Sequence, residues 1–230
     1  VVYHPADHRL LLCDSLQKKD RFETFPAFSP DGRTLYFCSA EAKKIPEEYK
    51  EIRYNLCSID FDPSAGTFGS RIDTLVNAEA LGKSVSFPRP SYDGKYIMFT
   101  LSDYGNFSIW HKEANLWLLD LTSGDLRELS EVNSDDTESF HNWSSNSRWF
   151  VFSSRRGDGL YTHLYLASMD ENGKISKPFL LPQEDPETYY DRSVYSYNVP
   201  DFVNAPILLD TKVFEKRITS KERIQVQVGN

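Results

Sequence analysis

Three stretches of this chain can be laid over one another. FPAFSPDGRTLYF (25–37), FPRPSYDGKYIMF (87–99) and FHNWSSNSRWFVF (140–152) align on Phe25, Phe87 and Phe140. Ser29, Ser91 and Ser144 then coincide, as do Asp31, Asp93 and Asn146, and the motifs end together on Phe37, Phe99 and Phe152. Within the first copy, Pro30 sets φ for the first corner of a type I turn. Asp31 suits the second corner, and Gly32 accepts the left-handed conformation that follows. Apolar runs flank the turn, so each motif predicts a β-hairpin. The third copy has Ser147 in place of glycine, which predicts a poorer turn.

Each copy continues alike. A third strand is predicted at 54–60, 114–120 and 162–168, and a fourth at 71–76, 126–130 and 177–181. Units of four short antiparallel strands, recurring after 62 and 53 residues, describe the blades of a β-propeller. The fold class is therefore all-β. The aromatic content of 14% agrees with strands.

The pattern F-P-x-F-S-P-D-G-R/K, followed by N-L-W/Y-x-L-D in the third strand, resembles the TolB-like propeller repeat over roughly residues 22–182. The stretch SFPRPSYDGKYIMFTLSDYGNFSIWHKEANLWLLDL is similar to uncharacterised TolB-like propellers of Bacteroidetes. That resemblance implies a periplasmic or cell-envelope location and carries no agreed enzymatic role.

Three blades do not close a ring. RLLLCDSL (9–16) resembles the outer part of a preceding blade, so the chain reads as the C-terminal portion of a propeller of about six blades. Two copies completing each other as a homodimer is the alternative. Residues 1–202 form the propeller part on this reading, and 203–230 a tail or closure segment. The Tyr-rich stretch 184–202 is expected along the last blade, and IQVQV (224–228) alternates like a strand.

Strand alternation sends the loops to two ends. The second-to-third loops (40–53, 101–113, 153–161) and the fourth-to-first loops (77–84, 131–139) share one end, and they are the long, charged, aromatic-bearing ones. Binding tends to reside on such loops. Candidate residues there and at the channel mouth are Arg89, Tyr104, Phe107, Trp110, Glu138, His141, Arg155 and Arg156. Each has a structural alternative. His141 is more commonly a hydrogen-bonded core histidine than a ligand, and Arg155-Arg156 more commonly a solvated pair than an anion clamp. Tyr104, Phe107 and Trp110 are either an exposed recognition surface or packing between blades. Asp135, Asp136 and Glu138 lack the spacing of a calcium loop.

Other chemistry fails when checked. Gly82-Lys83-Ser84 lacks the first glycine of a P-loop, and there is no Gly-x-Ser-x-Gly elbow. His4 and His8 are separated by Pro5, and Asn106-Phe-Ser and Asn142-Trp-Ser match the glycosylation pattern only. Three cysteines, Cys13, Cys38 and Cys57, make no disulfide framework. Buried thiols are expected, with a Cys38–Cys57 pair as the alternative. No cofactor or metal is implied. A net charge of −8 argues against nucleic acid or an anionic membrane as the main partner, and no apolar stretch is long enough to span a bilayer. The sequence favours a non-catalytic interaction module for a protein, peptide or glycan. The alternative is a propeller enzyme or accessory domain of hydrolase or polysaccharide-lyase type, with its site at the channel mouth.

Overall fold

The computed structural model describes residues 1–229. A hairpin of β1 (Val2–His4) and β2 (Arg9–Leu11) leads into three four-stranded antiparallel sheets. The first blade is β3 (Arg21–Phe28), β4 (Thr34–Glu41), β5 (Asn55–Asp62) and β6 (Thr67–Val76). The second is β7 (Ser84–Pro90), β8 (Tyr96–Ser102), β9 (Asn115–Asp120) and β10 (Leu126–Glu128). The third is β11 (Glu138–Trp143), β12 (Trp149–Ser154), β13 (His163–Ser168) and β14 (Phe179–Leu180). Within each sheet the strands pair in chain order, and β3, β7 and β11 lie side by side. This is the predicted arrangement of propeller blades, in a partial propeller.

The middle blade shows why its strands read as unbroken apolar runs. Ile97, Phe99 and Leu119 of one face pack on Tyr36, Cys38 and Leu56 of the first blade. Met98, Leu116 and Leu118 of the other face pack on Trp143, Phe150 and Phe152 of the third. Period-two alternation thus delivers an apolar side chain to each neighbour in turn. Burying each of Ile97, Met98 and Phe99 contributes about 1.5–3 kcal/mol. The same alternation settles the thiols. Cys38 lies in the core between blades and Cys57 on the opposite face of the first blade, so the two stay free, as does Cys13.

The repeated turns close alike. Ser29 Oγ donates to Asp31 Oδ1 (2.6 Å), and the same side chain accepts from Thr34 N (2.9 Å). Ser91 with Asp93 and Ser144 with Asn146 repeat the network. Gly32 and Gly94 have φ of +70° and +71°, and Ser147 takes the same conformation at +57° despite its Cβ. The third turn is therefore closed like the others. Ser147 gains a contact there, since its Oγ accepts from Asp93 N (2.9 Å) of the neighbouring blade's turn.

A second repeated irregularity lies on the inner strands. Phe25-Pro26, Phe87-Pro88 and Phe140-His141 each bulge opposite a single residue of the next strand. The first residue of each bulge is left-handed, with φ of +52°, +53° and +43°. The three phenylalanine rings meet in a ladder, with centroids 4.3 and 4.4 Å apart.

Both ends of the row of blades are covered by the chain itself. Cys13 and Leu16 pack on Leu35, Phe37 and Ile59 at the first blade. At the third, α1 (Pro186–Arg192) and the residues after it lie on the blade: Tyr197 N donates to Thr162 O (3.0 Å), and Ser153 Oγ to Tyr197 O (2.9 Å). Beyond it come an exposed helix, α2 (Thr211–Thr219), and β15 (Gln227–Gly229). The strand expected over 224–228 is shorter and later. It pairs parallel to β2, joining the two ends of the chain in one three-stranded sheet.

Candidate functional site

The long loops do gather at one end, and several of their polar groups staple one blade to the next. Arg53 Nε donates to Gly82 O (3.3 Å), and Lys83 Nζ bonds Asp103 Oδ1 (2.5 Å), which holds that carboxyl below its ordinary range. Thr137 Oγ1 donates to Ser108 O (3.1 Å) between the second and third blades.

Three of the sequence candidates belong to this framework. Glu138 is fully buried and accepts from Ser134 Oγ (2.6 Å), Ser154 Oγ (2.9 Å) and Arg156 Nη2 (2.8 Å). Burial still pushes its carboxyl above the ordinary value, against those donors and the Arg156 charge. Arg156 lies over the rings of Tyr165 (4.6 Å) and Phe152 (5.4 Å) and also donates to Val132 O. His141 is buried and its Nε2 donates to Met98 O (3.0 Å); desolvation lowers its pKa from 6.5 to about 3. Arg89 is half-buried on β7, where its carbonyl accepts from Trp143 Nε1 (3.0 Å). Among the described residues, no three His, Cys, Asp or Glu side chains come together as a metal site.

Tyr104, Phe107 and Trp110 line a groove between the second-to-third loops of the first two blades. It has a volume of about 600 Å³, and its walls include Ile45, Pro46, Tyr49, Tyr104, Phe107 and Trp110. Tyr104 packs edge-on against Tyr49 (5.7 Å) and on the His111 ring (4.1 Å). The His111 ring bridges Asn106 O and the Glu113 carboxylate through its two nitrogens, both at 2.9 Å. Asn106 Nδ2 donates to Tyr49 O (3.2 Å), which ties the two loops together. Trp110 is 67% exposed beneath the Arg155 guanidinium, 4.6 Å from the ring. Arg155 is itself nearly buried and donates to Ile109 O, so it orients Trp110 more than it faces solvent. Phe107 is 77% exposed and left-handed, with φ +54°.

Behind Phe107 a second cavity of about 270 Å³ leads to the phenylalanine ladder, with Ser86 on its wall. Gly105 makes the close approach that brings this loop in: its amide donates to Ile52 O (2.9 Å), and a Cβ there would lie 2.4 Å from the Tyr54 ring. Ile45, Pro46, Tyr49 and Gly105 were not singled out in the sequence. Gly105, between Tyr104 and Asn106, was the one available signal.

No protein-family model matches this sequence, and no curated protein does. Solved structures do. TolB from Acinetobacter baumannii is 18% identical over 68% of this chain and 32% of its own, with a TM-score of 0.40. The β-propeller domain of the Trilobed protease from Pyrococcus furiosus is 17% identical over 72% of this chain and 44% of its own, with a TM-score of 0.40. A Mycobacterium tuberculosis puromycin-hydrolyzing peptidase is 15% identical over 71% and 24%, with a TM-score of 0.47. The chain thus spans less than half the length of each. Likeness at these identities concerns the fold alone, and the blades described above carry that conclusion.

Proposed function

We propose that this chain is a non-catalytic binding module that grips an extended, apolar-rich segment of a protein partner in the groove between its first two blades. The observation that carries the reading is the contrast within the loop face. Several of its charged groups staple one blade to the next, whereas Trp110, stacked beneath Arg155, and Phe107, on a hydrogen-bonded loop, are left uncovered. Rigid aromatic anchors of this kind dominate interface energies. The groove offers few polar groups, which favours apolar side chains over a glycan. The enzyme reading has less support, because His141 and Glu138 on the inner strand are occupied by Met98 and Arg156. A cell-envelope setting rests on the resemblance of the repeat to TolB-like proteins.

The test uses a displayed random-peptide library and a glycan array as probes. Selected peptides should be rich in apolar residues. Trp110→Ala and Phe107→Ala should each weaken their binding by about 30-fold, since each such anchor is worth ~2 kcal/mol. Lys95→Ala, Asp125→Ala and Lys174→Ala, on the turn face, should leave it unchanged. Loss in the turn-face variant alone, or selection of glycans only, refutes the reading.

A further inference from the structure

The overall charge of −8 hides a segregation. Residues 203–230 hold five of the 26 basic and three of the 34 acidic residues, so this segment is +2 and the rest of the chain −10. The basic residues fall close together, at Lys212, Lys216, Arg217, Lys221 and Arg223, on and just after α2. Arg217 pairs with Glu222, and the Asp210 carboxylate caps α2 by accepting from Lys212 N (2.9 Å). Lys212, Lys216, Lys221 and Arg223 form no ion pair among the described residues, although a strongly acidic body lies on the same chain.

The same segment is uncovered along its length. From 201 to 226 every residue except Ser220 is exposed. Leu208 is 93% exposed and Ile218 75%, and Ile207, Val213 and Phe214 are exposed with them. Phe214 and Ile218 are one helical turn apart, so they share a face of α2. Apolar side chains beside a row of cations fit one partner chemistry in both respects: a membrane surface with anionic headgroups, where the rings and aliphatic groups enter the interface and the lysines meet the phosphates. A second copy of the chain fits less well, because apposed tails would bring like charges together.

We propose that residues 203–223 are a reversible anchor for anionic lipid surfaces, with the acidic blades held away from the bilayer by repulsion. This goes beyond the groove and is independent of it.

The test is co-sedimentation of the whole chain with vesicles of phosphatidylglycerol and phosphatidylcholine in equal parts, against vesicles of phosphatidylcholine alone. The wild-type chain should bind the first and not the second, and lose binding as salt is raised. Leu208→Asp with Phe214→Asp, and separately Lys212→Glu with Lys216→Glu, should each lower binding about tenfold or more. Both pairs are exposed, so their melting temperatures should equal the wild type's. Phe214→Trp should retain binding, with a blue shift of its emission on the anionic vesicles. Absence of binding by the wild type overturns the proposal, as does equal binding by the charge-reversed and apolar-to-Asp variants. So does a concentration-dependent dimer that the Leu208→Asp, Phe214→Asp variant dissociates, with no vesicle binding, which would assign the segment to a second copy.

Discussion

Phe87 offers a test in which the usual order of two substitutions is reversed. Its ring lies between Phe25 and Phe140 at 4.3 and 4.4 Å, and its backbone is left-handed at φ +53°. Phe87→Ala removes the ring and keeps a Cβ in that conformation. Phe87→Gly removes both. The lost ring costs the two variants the same: about 0.5–1.5 kcal/mol for each aromatic contact, plus the burial of a half-exposed side chain. They differ in the backbone. A left-handed L-residue costs about 1–2 kcal/mol, while glycine's greater freedom in the unfolded chain offsets about 0.5–1 of that. Phe87→Gly should therefore be the more stable of the two by about 0.5–1 kcal/mol, or roughly 1–4 °C in melting temperature for a chain of this size. Phe99, opposite the bulge and in regular strand, is the control: there glycine should be worse than alanine by about 0.5–1 kcal/mol. Urea unfolding followed by tryptophan fluorescence measures both pairs. If Phe87→Ala equals or exceeds Phe87→Gly, the left-handed phenylalanines are not a source of strain and the account of the bulges fails.

Gly105→Ala should cost about 1–3 kcal/mol by overpacking against Tyr54, and it should weaken peptide binding in the groove. Gly94→Ala has open space around it, so it should cost about 1 kcal/mol through its positive φ alone and leave binding unchanged. Adding Tyr54→Leu should recover part of the Gly105→Ala loss, and strict additivity of the two would count against the close approach. For His141, the folded pKa of about 3 lies below the ordinary 6.5, so the unfolded chain takes up a proton that the folded one refuses. Its contribution is intact above pH 6.5 and falls by about 1.4 kcal/mol per unit as the pH drops toward 3. Urea midpoints of wild type and His141→Gln, compared from about pH 7 to pH 5, should diverge in slope; parallel curves refute the assignment.

The blades were legible in the sequence because their determinants are local. A Ser-x-Asp turn closes on its own side chains, and an apolar run between two such turns has little choice but a strand buried on both faces. The C-terminal strand was less legible. Its alternation suggested 224–228, but pairing with β2 depends on where the far end of the chain lies, and the ladder formed at Gln227–Gly229. At the site, Phe107 and Trp110 were readable as exposed aromatics on a long loop. Arg155 and Arg156 were not readable, though adjacent. One orients Trp110 from above; the other lies inside the blade on Glu138. Only partners that are 18 and 45 residues away in sequence separate their roles, and no local pattern records them.

The loop that carries Phe107 is held more firmly than a connection requires. Gly105 N bonds Ile52 O, Asn106 Nδ2 bonds Tyr49 O, the His111 ring bonds Asn106 O, and Trp110 N bonds Phe107 O. Left-handed backbone at a bulky residue costs on the order of 1–3 kcal/mol and persists only where its surroundings over-determine it. The Phe107 ring gives little back, since most of it faces water. The four hydrogen bonds therefore hold the backbone around an aromatic residue whose ring is left largely in water. On the proposed function the gain comes on binding: a loop already fixed in place loses little conformational entropy when a partner covers its ring, so more of the contact energy would appear as affinity. Gly105 sits at the root of this arrangement, because its lack of a Cβ lets the loop approach Tyr54 and donate to Ile52 O, beside the Asn106–Tyr49 bond that joins the two loops.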